Sequence, residues 1–319
     1  MKIVSIFDTT ISDYNLGNQI IMDSVYRHLR DIFPNAFFFK LPYMEITRHT
    51  IRYIKQSDLI FFGGTNMLTG QMERYKQWGV SVSNFYFIRD VILMGVGWWQ
   101  YQTKISFYTK FILNMCLSKK YIHSVRDSYT EKKLRELGFK NVLNTGCPTL
   151  WNLTDEHCKK IKRSKAEHVI ITFTDYNKNP VRDKRIFDVA VNHYNKVYIF
   201  LQGVGDYNII NELNIKGCNV EIIPPNLDKY DEILSTVDAD YIGTRLHAGI
   251  RALQYKKRAF IVGIDNRALE MKKDFNLPVI PEWEIDTLPD IINSDYEIRL
   301  NIPTENIIKW KQQFKDDKL

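Results

Sequence analysis

Two Rossmann-like α/β domains facing across a cleft are what this sequence predicts, and three features predict them. Apolar runs of strand length alternate with helix-periodic stretches along nearly the whole chain. The alternation occurs twice, on either side of a polar, basic stretch at 155–167 that reads as a linker. Several runs end in glycine and polar residues, where ligands collect in folds of this kind. A length of 319 residues suits two cores. The expected division is 1–155, 165–303 and a C-terminal helix at 304–319 that crosses back onto the first domain.

In the first half, 2–7 is a strand, 8–17 a polar loop and 19–32 a helix with Ile21, Val25, Leu29 and Ile32 on one face. Between strand and helix stands Asn15-Leu16-Gly17-Asn18. Gly17 allows close approach of backbone to a ligand, and Asn18 can bond a sugar hydroxyl; a plain helix cap explains Asn18 equally well. A strand at 35–40 and a helix near 47–56 follow, then a strand at 58–62 ending in Gly63-Gly64-Thr65-Asn66. Another strand at 90–96 ends in Gly95-Val96-Gly97, which lacks the third glycine and the spaced acid of a dinucleotide fingerprint. The basic and aromatic stretch 104–120 reads as a helix, either packed with a solvated lysine edge or lying on an anionic bilayer. The strand at 121–125 delivers Arg126-Asp127 to its carboxyl end, before a capping box at Ser128 to Glu131. Arg126 there is a ligand group or an ion-paired cap, and His123 is a packed strand residue.

The second half repeats the alternation: strands at 168–174, 196–202 and 218–223, helices at 182–193, 207–214 and 228–235. The most informative run is 239–264, strand, tight turn, helix, strand. Its turn holds Thr244, Arg245 and His247 beside the positive end of the following helix. Arg245 offers a planar donor fork for carboxylate or phosphate, and His247 can exchange a proton near neutral pH. A helix-start histidine beside a surface ion pair would look the same. Asp238-Ala239-Asp240 lies at a strand start, away from the ligand edge, so no metal site is expected there. Helices are expected at 266–275, 282–293 and 304–318.

Composition narrows the function. A hydrophobic share of 45% with 25% charged residues describes a globular chain, and no apolar run approaches the roughly 20 residues of a membrane helix. The first residues meet Asp8 too soon for a signal peptide, so a cytoplasmic protein is expected. Four scattered cysteines, without a C-x-x-C pair, argue against zinc and disulfides. Forty-four Lys and Arg against 37 Asp and Glu favour anionic partners. No helix-turn-helix, zinc finger or RNP-type motif supports nucleic acid.

The run Gly243-Thr244-Arg245-Leu246-His247-Ala248-Gly249, with Ala252 and a strand ending Gly263-Ile264-Asp265, resembles the C-terminal signature of the polysaccharide pyruvyl transferase family. Ser124-Val125-Arg126-Asp127, Gly63-Gly64 and Asn15 to Asn18 extend the resemblance across the chain. Three positions depart from it. Thr65 stands where a glycine is usual, Cys147 where an acid is usual, and Arg267 where a lysine is usual.

The resemblance implies a GT-B-like arrangement and transfer of pyruvate from phosphoenolpyruvate, as a cyclic ketal, onto a sugar of a bacterial surface polysaccharide or its lipid-linked precursor. Phosphoenolpyruvate is then the donor substrate, and no cofactor or metal is required. On this reading Arg126 and Arg245 clamp the donor's carboxylate and phosphate, and His247 moves the proton. Asn15, Gly17, Asn18, Gly63, Gly64, Thr244 and Arg267 contact substrate. The acceptor falls to the first domain and the donor to the second, with peripheral contact at the inner membrane surface. A GT-B glycosyltransferase using a nucleotide sugar, or a non-catalytic binder of acidic glycans, fits the same residues.

Overall fold

A computed structural model describes residues 1–213 and 215–315; the helix ends expected at Asn214 and beyond 315 lie outside the described residues. Packing divides the chain into two compact units. One comprises Met1–Asp13, Ile21–Trp151 and Ile302–Leu319, the other Tyr14–Ile20 and Asn152–Asn301.

The first unit is built from β1 (Ile3–Asp8), α1 (Leu16–Ile32), β2 (Phe37–Pro42), α2 (Arg48–Ile54), β3 (Leu59–Gly63) and β4 (Val91–Met94). It continues through α3 (Phe107–Cys116), β5 (His123–Val125), α4 (Ser128–Glu136) and β6 (Val142–Asn144). The parallel sheet runs β2-β1-β3-β4, and a parallel bridge from Val96 to Val125 carries pairing on to β5 and β6. Alternate residues serve opposite faces, as a two-residue period requires. Phe61 joins Val4, Ile6 and Val25 on one side, while Ile60 and Phe62 join Phe7 and Trp78 on the other.

The second unit contains α5 (Asp155–Cys158), β7 (His168–Thr172), α6 (Pro180–His193), β8 (Lys196–Phe200), α7 (Asp206–Glu212) and β9 (Val220–Ile223). Then follow α8 (Leu227–Thr236), β10 (Ala239–Gly243), α9 (Leu246–Gln254), β11 (Ala259–Gly263), α10 (Asn266–Phe275), β12 (Val279–Pro281) and α11 (Leu288–Asn293). Its parallel sheet runs β12-β11-β10-β7-β8-β9. The order reverses between β7 and β10, so the carboxyl ends of those strands form the crevice where ligands bind in such sheets. The last helix, α12 (Thr304–Gln312), belongs to the first unit, with Trp310 buried against Phe61 and Trp151.

Four local expectations shift. The helix expected at 19–32 begins at Leu16, so Asn15 rather than Asn18 caps it, its Oδ1 accepting the Gly17 N–H at 2.9 Å. The helix expected at 104–120 is confined to α3, because Ser106 caps it and Leu117 is extended. The stretch 282–293 splits into a 3-10 turn, Glu282–Thr287, and α11, since Pro289 is tolerated only in a first helical turn. The polar stretch after 155 is not a bare linker: it carries α5 and buries Cys158, Ile161 and Ala166.

Candidate functional site

In the second unit, four neighbouring strands deliver polar residues to their carboxyl ends. After β7 come Thr174, Asp175 and Tyr176; after β8, Gln202 to Asp206; after β10, Thr244 and Arg245; after β11, Asp265 and Arg267. Arg245 is at the centre and only 3% exposed. Its Nε donates to Phe173 O at 2.7 Å, and its Nη2 donates to Asp175 Oδ1 at 3.0 Å and to Asp206 Oδ1. Its Nη1 donates to no acceptor among the described residues.

The chain holds this arginine from behind. Tyr241 donates its hydroxyl to Arg245 O at 2.7 Å, and Thr172 Oγ1 accepts the Arg245 N–H at 3.3 Å. Thr244 Oγ1 lies 2.8 Å from Thr174 Oγ1, which ties the two switch-point strands together. Asp206 Oδ2 accepts the N–H groups of Gln202 and Gly203 at 3.0 and 2.8 Å. Burial pushes the Asp206 carboxyl up, against the opposing pull of the Arg245 guanidinium. Gly203 is obligatory for packing, because a Cβ there would lie 2.3 Å from Arg245 Nη2.

Around this centre stand the other predicted residues. His247 is the second residue of α9 and 7% exposed. Arg267 pairs with Asp265 and donates to the Tyr176 hydroxyl. The Tyr176 ring is 57% exposed, with the guanidinium carbons of Arg245 and Arg267 at 5.5 and 5.7 Å from its centroid. Asn15, Gly17 and Asn18 precede or open α1 in sequence but belong to this second unit. Asn15 Oδ1 accepts from Gln202 Nε2 at 2.9 Å, and Leu16 N–H donates to Gln202 O at 3.0 Å.

Arg126, Gly63 and Gly64 belong to the first unit. Arg126 is 1% exposed and donates from all three nitrogens: Nε to Asp127 Oδ2 at 2.9 Å, Nη1 to Asn66 Oδ1, and Nη2 to Trp98 O at 3.4 Å. It therefore staples the loops after β3 and β4 to the start of α4. Gly63 closes β3 against Val25, and Gly64 takes φ +59°. Thr65 also sits in the left-handed region, at φ +58°, where a β-branched side chain is strained. Thr65→Gly is therefore expected to raise the unfolding free energy by roughly 1 kcal/mol, read by denaturant titration. Cys147 is buried, which pushes its thiol up, and the nearby Arg126 charge opposes that shift.

Asp238 and Asp240 serve structure. Asp240 is 2% exposed and pairs with Arg258 at 2.5 Å, also accepting from Tyr194 at 2.8 Å, while Asp238 pairs with Lys162 at 3.0 Å. His123 is a core residue, as the sequence suggested, with Nδ1 accepting the Leu93 N–H and Nε2 donating to Ser118 O.

Two Rossmann-like units, each with a parallel sheet, place the fold in the GT-B-like class. The chain belongs to the polysaccharide pyruvyl transferase family, whose sequence model matches residues 15–266. Its fold is similar to that of the UDP-GlcNAc 2-epimerase from Methanocaldococcus jannaschii, with a TM-score of 0.57, 11% identity and 99% of each chain covered. It is similar also to MnaA of S. aureus, solved with UDP, with a TM-score of 0.56 and 9% identity over 100% of this chain and 98% of that one. At such identities the likeness is one of fold. A comparison with curated proteins returns no significant match.

Proposed function

We propose that this member of the family transfers the enolpyruvyl carbons of phosphoenolpyruvate onto two hydroxyls of one sugar as a cyclic ketal, releasing phosphate, in the cytoplasm. The observation that carries the reading is Arg245, locked by Asp175, Asp206 and Phe173 O while its Nη1 has no acceptor among the described residues. A pre-ordered guanidinium with donors to spare suits an anionic oxygen, at about 1.5–3 kcal/mol per charge-assisted bond.

The donor has two anionic ends, and the second unit has a second guanidinium, Arg267, across the Tyr176 ring. This pairing is internal to one unit and is proposed in place of the Arg126 and Arg245 clamp expected from sequence. In this reading Arg126, which donates to Asp127, Asn66 and Trp98 O, is assigned to ordering the Asn66 and Trp98 loops. The attacked carbon becomes electrophilic when the methylene gains a proton, and each sugar hydroxyl must lose one. His247, in the first turn of α9 beside Arg245, is the proposed proton carrier. The Asn15 and Gln202 pair offers amide groups to acceptor hydroxyls, and no divalent ion is required.

Purified protein is expected to release phosphate from phosphoenolpyruvate only with a suitable sugar acceptor, in the presence of chelator. Free and lipid-linked oligosaccharides both belong in that assay. Sugar transfer from a nucleotide sugar, with phosphoenolpyruvate inert, would replace this reading with a glycosyltransferase.

A further inference from the structure

The sheet edge opposite the glycine-rich loops of the first unit carries a surface those loops do not explain. At the amino ends of β3 and β4, a groove of about 340 Å³ is lined by Lys55, Asp58, Tyr86, Phe87, Arg89 and Tyr121. Phe87 also borders a second groove with Arg48, Arg52 and Lys55 of α2 and the residue after it. Phe85, next in line, packs its ring 5.1 Å from Phe111 of α3. The surface is therefore continuous from α2, through the 3-10 turn Phe85–Phe87, to the outer face of α3.

Two properties coincide on it. Apolar rings stand in solvent: Phe107 is 84% exposed, Tyr86 64%, Phe111 38% and Phe87 37%. Phe107, Lys110 and Phe111 share the outer face of α3, at i, i+3 and i+4. Cations stand among them without acidic partners: among the described residues, Arg48, Arg52, Lys55, Arg89 and Lys110 form no ion pair with a carboxylate. Arg89 lies 4.4 Å over the Tyr86 ring and Lys55 lies 5.0 Å over the Phe87 ring. Among the described residues, the acids lining the grooves are Asp58, whose carboxylate accepts the Ile3 N–H at 2.7 Å, and Asp90.

We propose that this face of the first unit docks on an anionic bilayer surface, its rings at headgroup depth and its cations against lipid phosphates. Aromatic side chains interleaved with unpaired Lys and Arg are suited to that interface, where the apolar part inserts and the charges stay wet. A second copy of the chain fits less well. A two-fold contact would set these unpaired cations against their own kind. This inference is independent of the pyruvyl-transfer reading, because its test needs no turnover.

The test is flotation of the full chain with vesicles of phosphatidylcholine alone or mixed with phosphatidylglycerol. Binding is expected only to the mixed vesicles and should weaken as salt rises. Each cation near the surface is worth roughly fivefold, so Lys55→Glu with Arg89→Glu should lower affinity by at least about 25-fold. Phe107→Ser with Phe111→Ser should lower it on the order of tenfold, with circular dichroism unchanged because these rings are exposed. No flotation with mixed vesicles, equal flotation with neutral ones, or charge variants that bind like the unsubstituted protein would each overturn the proposal. Self-association lost in the same variants, without vesicle binding, would make the face a contact between copies and overturn it too.

Discussion

His247→Ala is expected to lower turnover by roughly 10²–10⁴-fold while leaving donor affinity near its starting value, because a positioned proton carrier acts mainly in the transition state. A packed histidine with no chemical role gives the opposite pattern, a lower melting temperature and a normal rate in the folded fraction. Arg245 needs a different experiment from the one its sequence context suggests. From sequence, Arg245→Ala should mainly weaken donor binding. In the folded chain it would strand Asp206, 1% exposed, without its cation. Breaking a buried pair in this way costs about 3–5 kcal/mol, a large share of a typical stability of about 5–15 kcal/mol, so a loss of binding could not be told from a loss of structure. Arg245→Lys keeps the charge beside Asp206 and loses the fork. The lysine variant should fold, and its KM for phosphoenolpyruvate should rise with a smaller change in kcat. Donor KM, kcat and melting temperature, taken together for the three variants, separate these cases. A folded lysine variant with unaltered KM would remove Arg245 from donor binding.

Acid should destabilise the first unit as pH falls below about 6.5, through two buried histidines. Burial holds His28 and His123 down at about 4, with the Lys311 charge adding to the effect at His28. Geometry explains why neither ring accepts a second proton. His123 already receives the Leu93 N–H on Nδ1 at 3.2 Å while Nε2 donates to Ser118 O at 2.8 Å. His28 receives Lys311 Nζ on Nδ1 at 3.5 Å while Nε2 faces Pro148 O at 3.2 Å. Because the folded-state values lie below the unfolded one near 6.5, the unfolded chain takes up protons first as pH falls. Stability is therefore full above about 6.5 and lost on acidification toward about 4, by roughly 3 kcal/mol for each histidine. Urea titrations across that window should show the decline. His28→Gln should remove about half of its slope, and a flat profile would contradict the assignment.

How much of this was legible in the sequence depended on distance along the chain. The β10–α9–β11 unit was plain because uninterrupted apolar runs flank a charged turn, and Thr244, Arg245 and His247 stand in that turn. What holds Arg245 was not legible. Asp206 lies 39 residues away and Asp175 70 residues away, and no local pattern links them. A signal existed for Asp206: an acid in a first helical turn directly after a glycine-rich strand end. Asn15 was read as part of the first domain because it is near it in sequence. Its partner Gln202 is 187 residues away, and only the fold joins them. Tyr176 drew no notice either, since an exposed tyrosine in a polar loop has no periodicity to mark it. Thr65 shows the reverse case. The expected glycine is absent, yet the backbone still takes the conformation that glycine would favour.

The burial of Ile307, Trp310 and Phe314 among Val4, Val25, Phe61 and Trp151 sets an order for events on the ribosome. The first unit is mostly synthesised by Trp151, but its aromatic seal is encoded beyond the whole of the second unit. At about 5–20 residues per second, the gap between those stretches corresponds to roughly 8–30 s of translation. For that interval the nascent chain carries an unsealed apolar groove, so the second unit, although translated later, can complete its core first.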